Sequence, residues 1–173
     1  MLTRTPPPTS IWTTSMTVER PVRTRGLIDT NIMILRRWLD PAELPDEMAI
    51  TAVTLAELSA GPHEVRGNAM QNSYNEHSER ARRLDVLQRA EHEFDPVPFD
   101  TEAARAYGRV CASVIAAGRK PRRRIADLMI ASIAVAEDLP LYTTNPDDFR
   151  GLEALVTINA VTRPSVPHDH AAE

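Results

Sequence analysis

The stretch that decides the fold is residues 26–35, which read GLIDTNIMIL. Its first three residues form a short apolar run before Asp29, and the apolar residues after it recur at helical spacing. Thr30 or Asn31 is able to cap the first turn of that helix, because both side chains accept hydrogen bonds from backbone N–H groups. The pattern predicts a buried strand, a turn that carries a carboxylate, and a helix.

The same alternation of strands and helices continues along the chain. Short apolar strands that alternate with helices are typical of a parallel sheet covered by helices on both faces. The predicted fold class is therefore α/β, a three-layer α/β/α sandwich with a mostly parallel sheet of about five strands. We predict further strands at residues 48–53, 94–99, 139–143 and 155–158, and helices at 54–60, 68–93 and 125–137 and between Asp100 and Gly118.

Length and composition indicate one globular domain. The 173 residues suffice for a single core, and 42% hydrophobic residues with 25% charged residues are typical of a globular protein. Residues 1–24 are rich in Thr, Pro, Ser and Arg and are predicted to be a disordered leader. The domain is predicted over residues 25–162, and residues 163–173 are predicted to be a flexible tail.

Composition also excludes some classes of protein. No apolar stretch approaches the roughly 18 residues that span a bilayer, so no membrane association is expected. The single cysteine, Cys111, has no partner for an internal disulfide, which fits the reducing cytoplasm. The net charge of −4 argues against nucleic-acid binding by the whole surface, so local charge must decide that question.

Four acidic residues fall where a parallel sheet would collect them. Asp29 ends the first predicted strand, Glu57 lies one turn into the helix after the second, and Asp148 follows the fourth. Asp127 begins a buried helix among apolar neighbours. Since sites in open parallel sheets form at the carboxyl ends of the strands, we expect these carboxylates to meet in one catalytic cluster.

Such a cluster is suited to a divalent metal. Hard oxygen ligands without Cys or His favour Mg²⁺ or Mn²⁺ over zinc. A bound ion of this kind activates a water and neutralises the leaving oxygen, so no covalent nucleophile is required. Each acid also has a structural explanation: Asp29 as a helix cap, Asp127 as a partner of the helix dipole, Glu57 as an arginine partner, and Asp148 as a solvated group.

Four short motifs resemble those of PIN-domain nucleases in kind and order. They are LIDTN at 27–31, TLAEL at 54–58, IADLMIAS at 125–132 and TTNPDDF at 143–149. The resemblance covers roughly residues 26 to 160, and its nearest subgroup is the bacterial toxin VapC. It implies a PIN-like fold and a Mg²⁺- or Mn²⁺-dependent endoribonuclease that cuts structured RNA such as tRNA or rRNA. It also implies a homodimer and a toxin–antitoxin hetero-oligomer with a cognate VapB-like antitoxin.

The resemblance also implies roles for individual residues. Asp29 and Asp127 would be the principal metal ligands, and Glu57 would complete the site. Thr30 and Asn145 would support it. Many relatives carry an acid where Asn145 stands, and an amide oxygen supplies one negative charge fewer, which puts a second metal in question.

A basic loop directly precedes Asp127. Its cations predict contacts with RNA phosphates beside the acidic cluster. The alternative is a solvated loop whose arginines pair with surface acids or with an antitoxin. The alternative for the whole chain is a catalytically weak PIN-fold module that binds RNA or protein. The five basic residues are Arg119, Lys120, Arg122, Arg123 and Arg124.

Overall fold

A computed structural model describes residues 24–65 and 76–165 of the chain. The predicted leader therefore lies outside the described residues except for Thr24, as does the predicted tail beyond residue 165. The first part of the helical region predicted over 68–93 also lies outside them. Within the described part of the chain, no helix is both long and apolar enough to cross a membrane.

A parallel sheet forms the centre of the fold, which confirms the predicted α/β class. Its strands are β1 (Arg25–Ile28), β2 (Glu47–Ala49), β3 (Leu141–Thr143) and β4 (Ile158–Ala160). Their order is β2-β1-β3-β4, and all three neighbouring pairs are parallel. This order places β1 between β2 and β3, so the residue that follows β1 lies near the middle of the sheet edge.

Helices pack on both faces of the sheet. Leu27 and Ile28 are adjacent in β1 and fully buried, and they belong to two different hydrophobic clusters, because successive strand residues point to opposite faces. The helices are α1 (Thr30–Leu35), α2 (Ala52–Ala60), α3 (Glu76–Glu93), α4 (Thr101–Ala116) and α5 (Ile125–Ala136). The cluster of Leu27 contains residues of α4 and α5, and the cluster of Ile28 contains residues of α1, α2 and α3.

The prediction of a strand at residues 94–99 is wrong. Only Val97 pairs there, through a single parallel bridge with Thr51. The Val97 N–H donates to the carbonyl of Ile50 at 2.9 Å, and the Val97 carbonyl accepts from the N–H of Ala52 at 2.8 Å. The partner segment enters α2 at Ala52, directly after Thr51, so the pairing cannot continue in that direction. The prolines at positions 96 and 98 leave no N–H on the opposite edge for a further strand. The described residues therefore form four strands.

Two boundaries also differ from the prediction. The apolar run 48–53 divides into strand and helix, because the Thr51 hydroxyl accepts a hydrogen bond from the N–H of Thr54 and caps α2. The last strand is not at 155–158 but at β4. The N–H groups of Leu155 and Val156 donate to the carbonyl of Leu152 instead, which makes a turn before the strand.

Candidate active site

Asp29 lies at the carboxyl end of the central strand β1, and only 4% of its surface is exposed. One carboxylate oxygen accepts a hydrogen bond from the N–H of Ile32 at 2.9 Å, so Asp29 caps α1, a role predicted for Thr30 or Asn31. The other oxygen accepts from the hydroxyl of Thr143, at the end of β3, at 2.5 Å. The capping role considered from the sequence is therefore real, and it fixes the carboxylate at the sheet edge.

Glu57 lies in the second turn of α2 and is half-buried. Its Oε2 atom accepts a hydrogen bond from the hydroxyl of Thr30 at 2.5 Å. Thr30 directly follows Asp29, so this bond ties the acid of α2 to the start of α1. Thr30 is thus a supporting residue in the physical sense, since it orients Glu57.

Asp127 lies in the first turn of α5 and is partly exposed. Its charge raises the pKa of Asp29 and also the pKa of Glu57, so it is within electrostatic reach of both. Three acids that are distant along the chain are therefore neighbours in the fold. The sheet brings them together as the strand-end rule predicts.

The pKa of each of these carboxyl groups lies above its ordinary value. Burial is the largest cause for all three, because it disfavours the charged form. The hydrogen bond from Thr143 lowers the pKa of Asp29 in opposition, the one from Thr30 does the same for Glu57, and Arg124 does so for Asp127. For all three carboxyl groups, burial therefore outweighs the contacts that stabilise the charged form.

The donor set fits a hard divalent cation. Carboxylate oxygens are the protein ligands that Mg²⁺ and Mn²⁺ prefer. Within residues 24–65 and 76–165, no three carboxylate, imidazole or thiol groups come close enough together to enclose an ion. Mg²⁺ binds through roughly one or two protein carboxylates and keeps several waters, so an open arrangement is compatible with it.

Asp148 has contacts of a different kind. One of its oxygens is ion-paired with Arg124, and the other accepts a hydrogen bond from the amide of Asn145 at 2.5 Å. The structure therefore surrounds Asp148 with donors from its own chain. Asn145 likewise directs its amide to Asp148, and its backbone N–H donates to the hydroxyl of Thr143.

Arg119 is largely committed to the backbone. Its guanidinium donates to the carbonyl of Arg150 at 2.8 Å, to that of Asp147 at 2.9 Å, and more weakly to that of Asp148 at 3.5 Å. These carbonyls belong to the short 3-10 helix Pro146–Phe149 and the residue after it. Arg119 thus holds the segment that carries Asp148.

The basic loop lines a pocket of about 270 Å³ between the end of α4 and the start of α5. Arg122 is exposed and lies outside this lining. The loop is therefore not uniformly solvated, since four of its five cationic side chains line one pocket. The lining residues are Val114, Arg119, Lys120, Arg123, Arg124, Leu128 and Asp148.

Comparison with known proteins identifies the fold family. The model of the family described as PIN domain matches residues 27–155. The chain belongs to the PIN-domain family. This PIN domain is 35% identical over 139 residues to Ribonuclease VapC5 of Mycobacterium tuberculosis, a match that covers 79% of this chain and 93% of that protein.

Solved structures agree with this assignment. The PIN domain matches a crystal structure of VapBC-5, a toxin–antitoxin system of Mycobacterium tuberculosis, with a TM-score of 0.64 and 33% identity over 80% of this chain and 98% of that one. VapBC2 of Rickettsia felis, bound to a DNA fragment from its promoter, matches with a TM-score of 0.55 and 19% identity over 80% and 99% of the two chains, which shows the fold alone. Within the PIN-domain family, the chain is a VapC homologue.

Sequence reasoning missed one residue of this PIN domain's site. Thr143 is fully buried, and its hydroxyl donates to Asp29 while it accepts from the N–H of Asn145. The sequence carried a signal, because Thr143 ends a predicted strand as Asp29 does, and the carboxyl ends of parallel strands lie at one edge. The observed pairing of Ile28 with Tyr142 places these two residues side by side. Reading the strand ends as neighbours would have identified the pair.

Proposed function

We propose that this chain is an endoribonuclease that requires Mg²⁺ or Mn²⁺ and acts as the toxin of a toxin–antitoxin pair. The observation that carries the proposal is the set of three neighbouring carboxylates at the carboxyl edge of the sheet, each with a raised pKa. Buried or half-buried acids without compensation cost stability, and a bound cation removes that cost. The similarity to a protein named as a ribonuclease supports the same activity.

Three acidic residues would hold the metal ion. Asp29 and Asp127 would be the principal metal ligands, and Glu57, oriented by Thr30, would complete the site. A bound Mg²⁺ or Mn²⁺ would supply an activated water and neutralise charge on the leaving oxygen. Thr143 and the N–H of Ile32 hold the Asp29 carboxylate in place, so this carboxylate already has a fixed position before the cation binds.

The substrate that we propose is structured RNA, tRNA or rRNA. An acidic cluster repels RNA, and the cations at the start of α5 are placed to offset that repulsion. Arg124 connects the acidic cluster with the basic pocket, because it lowers the pKa of Asp127 and also lines the pocket.

The proposed partner is a VapB-like antitoxin. A similar solved structure at 33% identity is that of the VapBC-5 toxin–antitoxin system of Mycobacterium tuberculosis. By analogy we propose a homodimer of this chain within a toxin–antitoxin hetero-oligomer. The same analogy supports a cytoplasmic location.

Cleavage of RNA by the purified chain tests the proposal. We expect cleavage with Mg²⁺ or Mn²⁺ and none with EDTA. Asp29→Asn and Asp127→Asn should each reduce the rate by more than roughly 100-fold, since even groups that merely orient a metal ligand contribute about 10- to 100-fold. Glu102→Gln is the matched control, because Glu102 is an exposed acid on α4 paired with Arg105, and it should cleave normally.

Two outcomes would reject the activity. One is cleavage that persists in EDTA, and the other is undiminished cleavage by both site variants. Binding of RNA without cleavage by the wild-type chain would favour the alternative, a PIN-fold binding module. Circular dichroism must show that each variant is folded.

A further inference from the structure

The pocket between α4 and α5 is strongly unbalanced in charge. Four cationic side chains line it against the single carboxylate of Asp148. Val114 and Leu128 form its apolar part and are buried in the core, so the pocket is anchored on rigid helices. The cationic side chains suit an anionic group, and the apolar wall suits a partly apolar group attached to that anion.

Arg124 is held in this pocket by a chain of contacts. Asp148 is ion-paired with Arg124 through one oxygen, and Asn145 occupies the other. Arg119 in turn fixes the backbone that carries Asp148, through the carbonyls of residues 147, 148 and 150. The ion pair therefore positions the Arg124 guanidinium before any ligand arrives, and its Nη1 atom has no hydrogen-bond partner among the described residues.

The occupant must match an oriented guanidinium beside further cations. An arginine fork suits the paired oxygens of a phosphate group better than a point-like anion. On the proposed function, on which this step rests, the anion within reach of Arg124 and Asp127 is the backbone of the RNA that enters the acidic cluster. A sugar attached to the phosphate would meet the apolar wall.

We propose that this pocket binds a phosphodiester of the RNA next to the cleaved bond, and that Asp148 is the positioning residue that orients Arg124 there. Asp148 then does not ligate the metal, although its place after β3 suggested a catalytic acid. A carboxylate in a phosphate pocket repels the ligand, so its presence requires a compensating purpose. Orientation of Arg124 supplies that purpose.

The direction in which Asp148→Ala changes the affinity for RNA tests the proposal. Asp148→Ala removes a negative charge, so simple electrostatics predicts tighter RNA binding. The proposal predicts weaker binding instead, because Arg124 loses its anchor. Binding is measured with a fluorescent single-stranded RNA of mixed sequence in EDTA, on the full chain, so that cleavage does not interfere.

A double-mutant cycle isolates the coupling between the two residues. Arg124→Gln should weaken RNA binding roughly tenfold and reduce the slope of log affinity against log salt concentration by about 0.7, the value of one phosphate contact on a single strand. In the Arg124→Gln background, Asp148→Ala should have no further weakening effect. The matched control is the exposed pair Arg105 and Glu102 on α4, whose substitution by Gln should alter neither slope nor coupling.

Three results would overturn this proposal. They are tighter RNA binding by Asp148→Ala, an unchanged salt slope in Arg124→Gln, and full additivity of the two substitutions. A calorimetric titration with Mn²⁺ tests independently whether Asp148 is a metal ligand. Asp148→Ala should keep the wild-type affinity for Mn²⁺, and Asp29→Asn should lose it. Loss of Mn²⁺ binding in Asp148→Ala would make Asp148 a ligand. If wild-type protein binds RNA with the expected coupling but neither binds Mn²⁺ nor cleaves, the proposed function fails and the pocket assignment stands.

Discussion

Thr143→Val removes a hydroxyl from the centre of the candidate site without changing the size of the side chain. Thr143 is fully buried, its hydroxyl donates to Asp29, and it accepts the N–H of Asn145 at 2.9 Å. A hydrogen bond to a charged group contributes about 1.5–3 kcal/mol, and an orphaned N–H costs about 1–3 kcal/mol when buried. Because Asn145 is only partly buried, we expect a total loss of about 3 kcal/mol at neutral pH.

The loss should depend on pH. The hydrogen bond from Thr143 lowers the pKa of Asp29, so it stabilises the carboxylate more than the protonated acid. Its removal therefore costs most where Asp29 is ionised in the wild type, and less as the pH falls and the group protonates. Denaturant unfolding in EDTA at about pH 7 and near pH 4 measures both values, and a melting temperature lower by roughly 10 °C should accompany the larger one.

Thr144→Val is the matched control. Thr144 is also buried, but its hydroxyl oxygen has no hydrogen-bond partner within the described residues. Replacement of that hydroxyl by a methyl should cost little or stabilise the fold, because no bond is lost. The reasoning is refuted if the Thr143 variant loses no more stability than this control, or if its loss is the same at both pH values.

Two further predictions concern charge and packing. Asp127→Asn removes a clustered acid with a raised folded pKa; the folded state therefore binds more protons, and wild-type stability in EDTA should fall relative to the variant as pH rises from about 4. Unfolding curves should show that gap grow toward neutral pH and reverse with Mg²⁺, and a constant gap would contradict it. Gly26→Ala should cost about 1–3 kcal/mol, since a Cβ there would overlap the ring of Tyr142 and meet the side chain of Pro45 at 3.2 Å. Gly108→Ala in α4, where a Cβ meets nothing within 4 Å, should instead stabilise by about 0.5–1 kcal/mol in the same measurement.

The sequence predicted the sheet edge well, because the signals there are local. The apolar run before Asp29 and the apolar helix after Asp127 are both largely buried in the fold, as their own composition predicts. Parallel pairing then brings their ends together. Fold class and the three neighbouring acids follow from those local facts and one topological rule.

Errors arose where two local signals competed. Residues 94–99 are apolar enough for a strand, but their partner segment turns into α2 directly after Thr51, so only Val97 pairs. At residues 48–53 the apolar run hid a helix cap at Thr51. Composition alone does not rank these signals, since the outcome depends on which backbone groups find partners.

Side-chain pairing between distant segments was the least predictable feature. Asp148 was equally suited by sequence to join Asp29 or to be solvated, and the structure pairs it with Arg124. Arg119 was counted among the RNA-binding cations, but much of its guanidinium binds carbonyls. Such choices depend on the geometry of loops, which carries no periodic signal in the sequence.

The bond between Asp29 and Thr143 joins residues 114 positions apart. Translation makes Asp29 early and Thr143 late, so the ribosome must release most of the domain before this second anchor of the carboxylate can form. A protein fragment that ends before Thr143 would have all three acids of the cluster but would lack the hydroxyl that holds Asp29 at the end of β3. For a chain that we propose to be toxic, this order of synthesis means that the cell meets the active enzyme only once the domain is essentially finished.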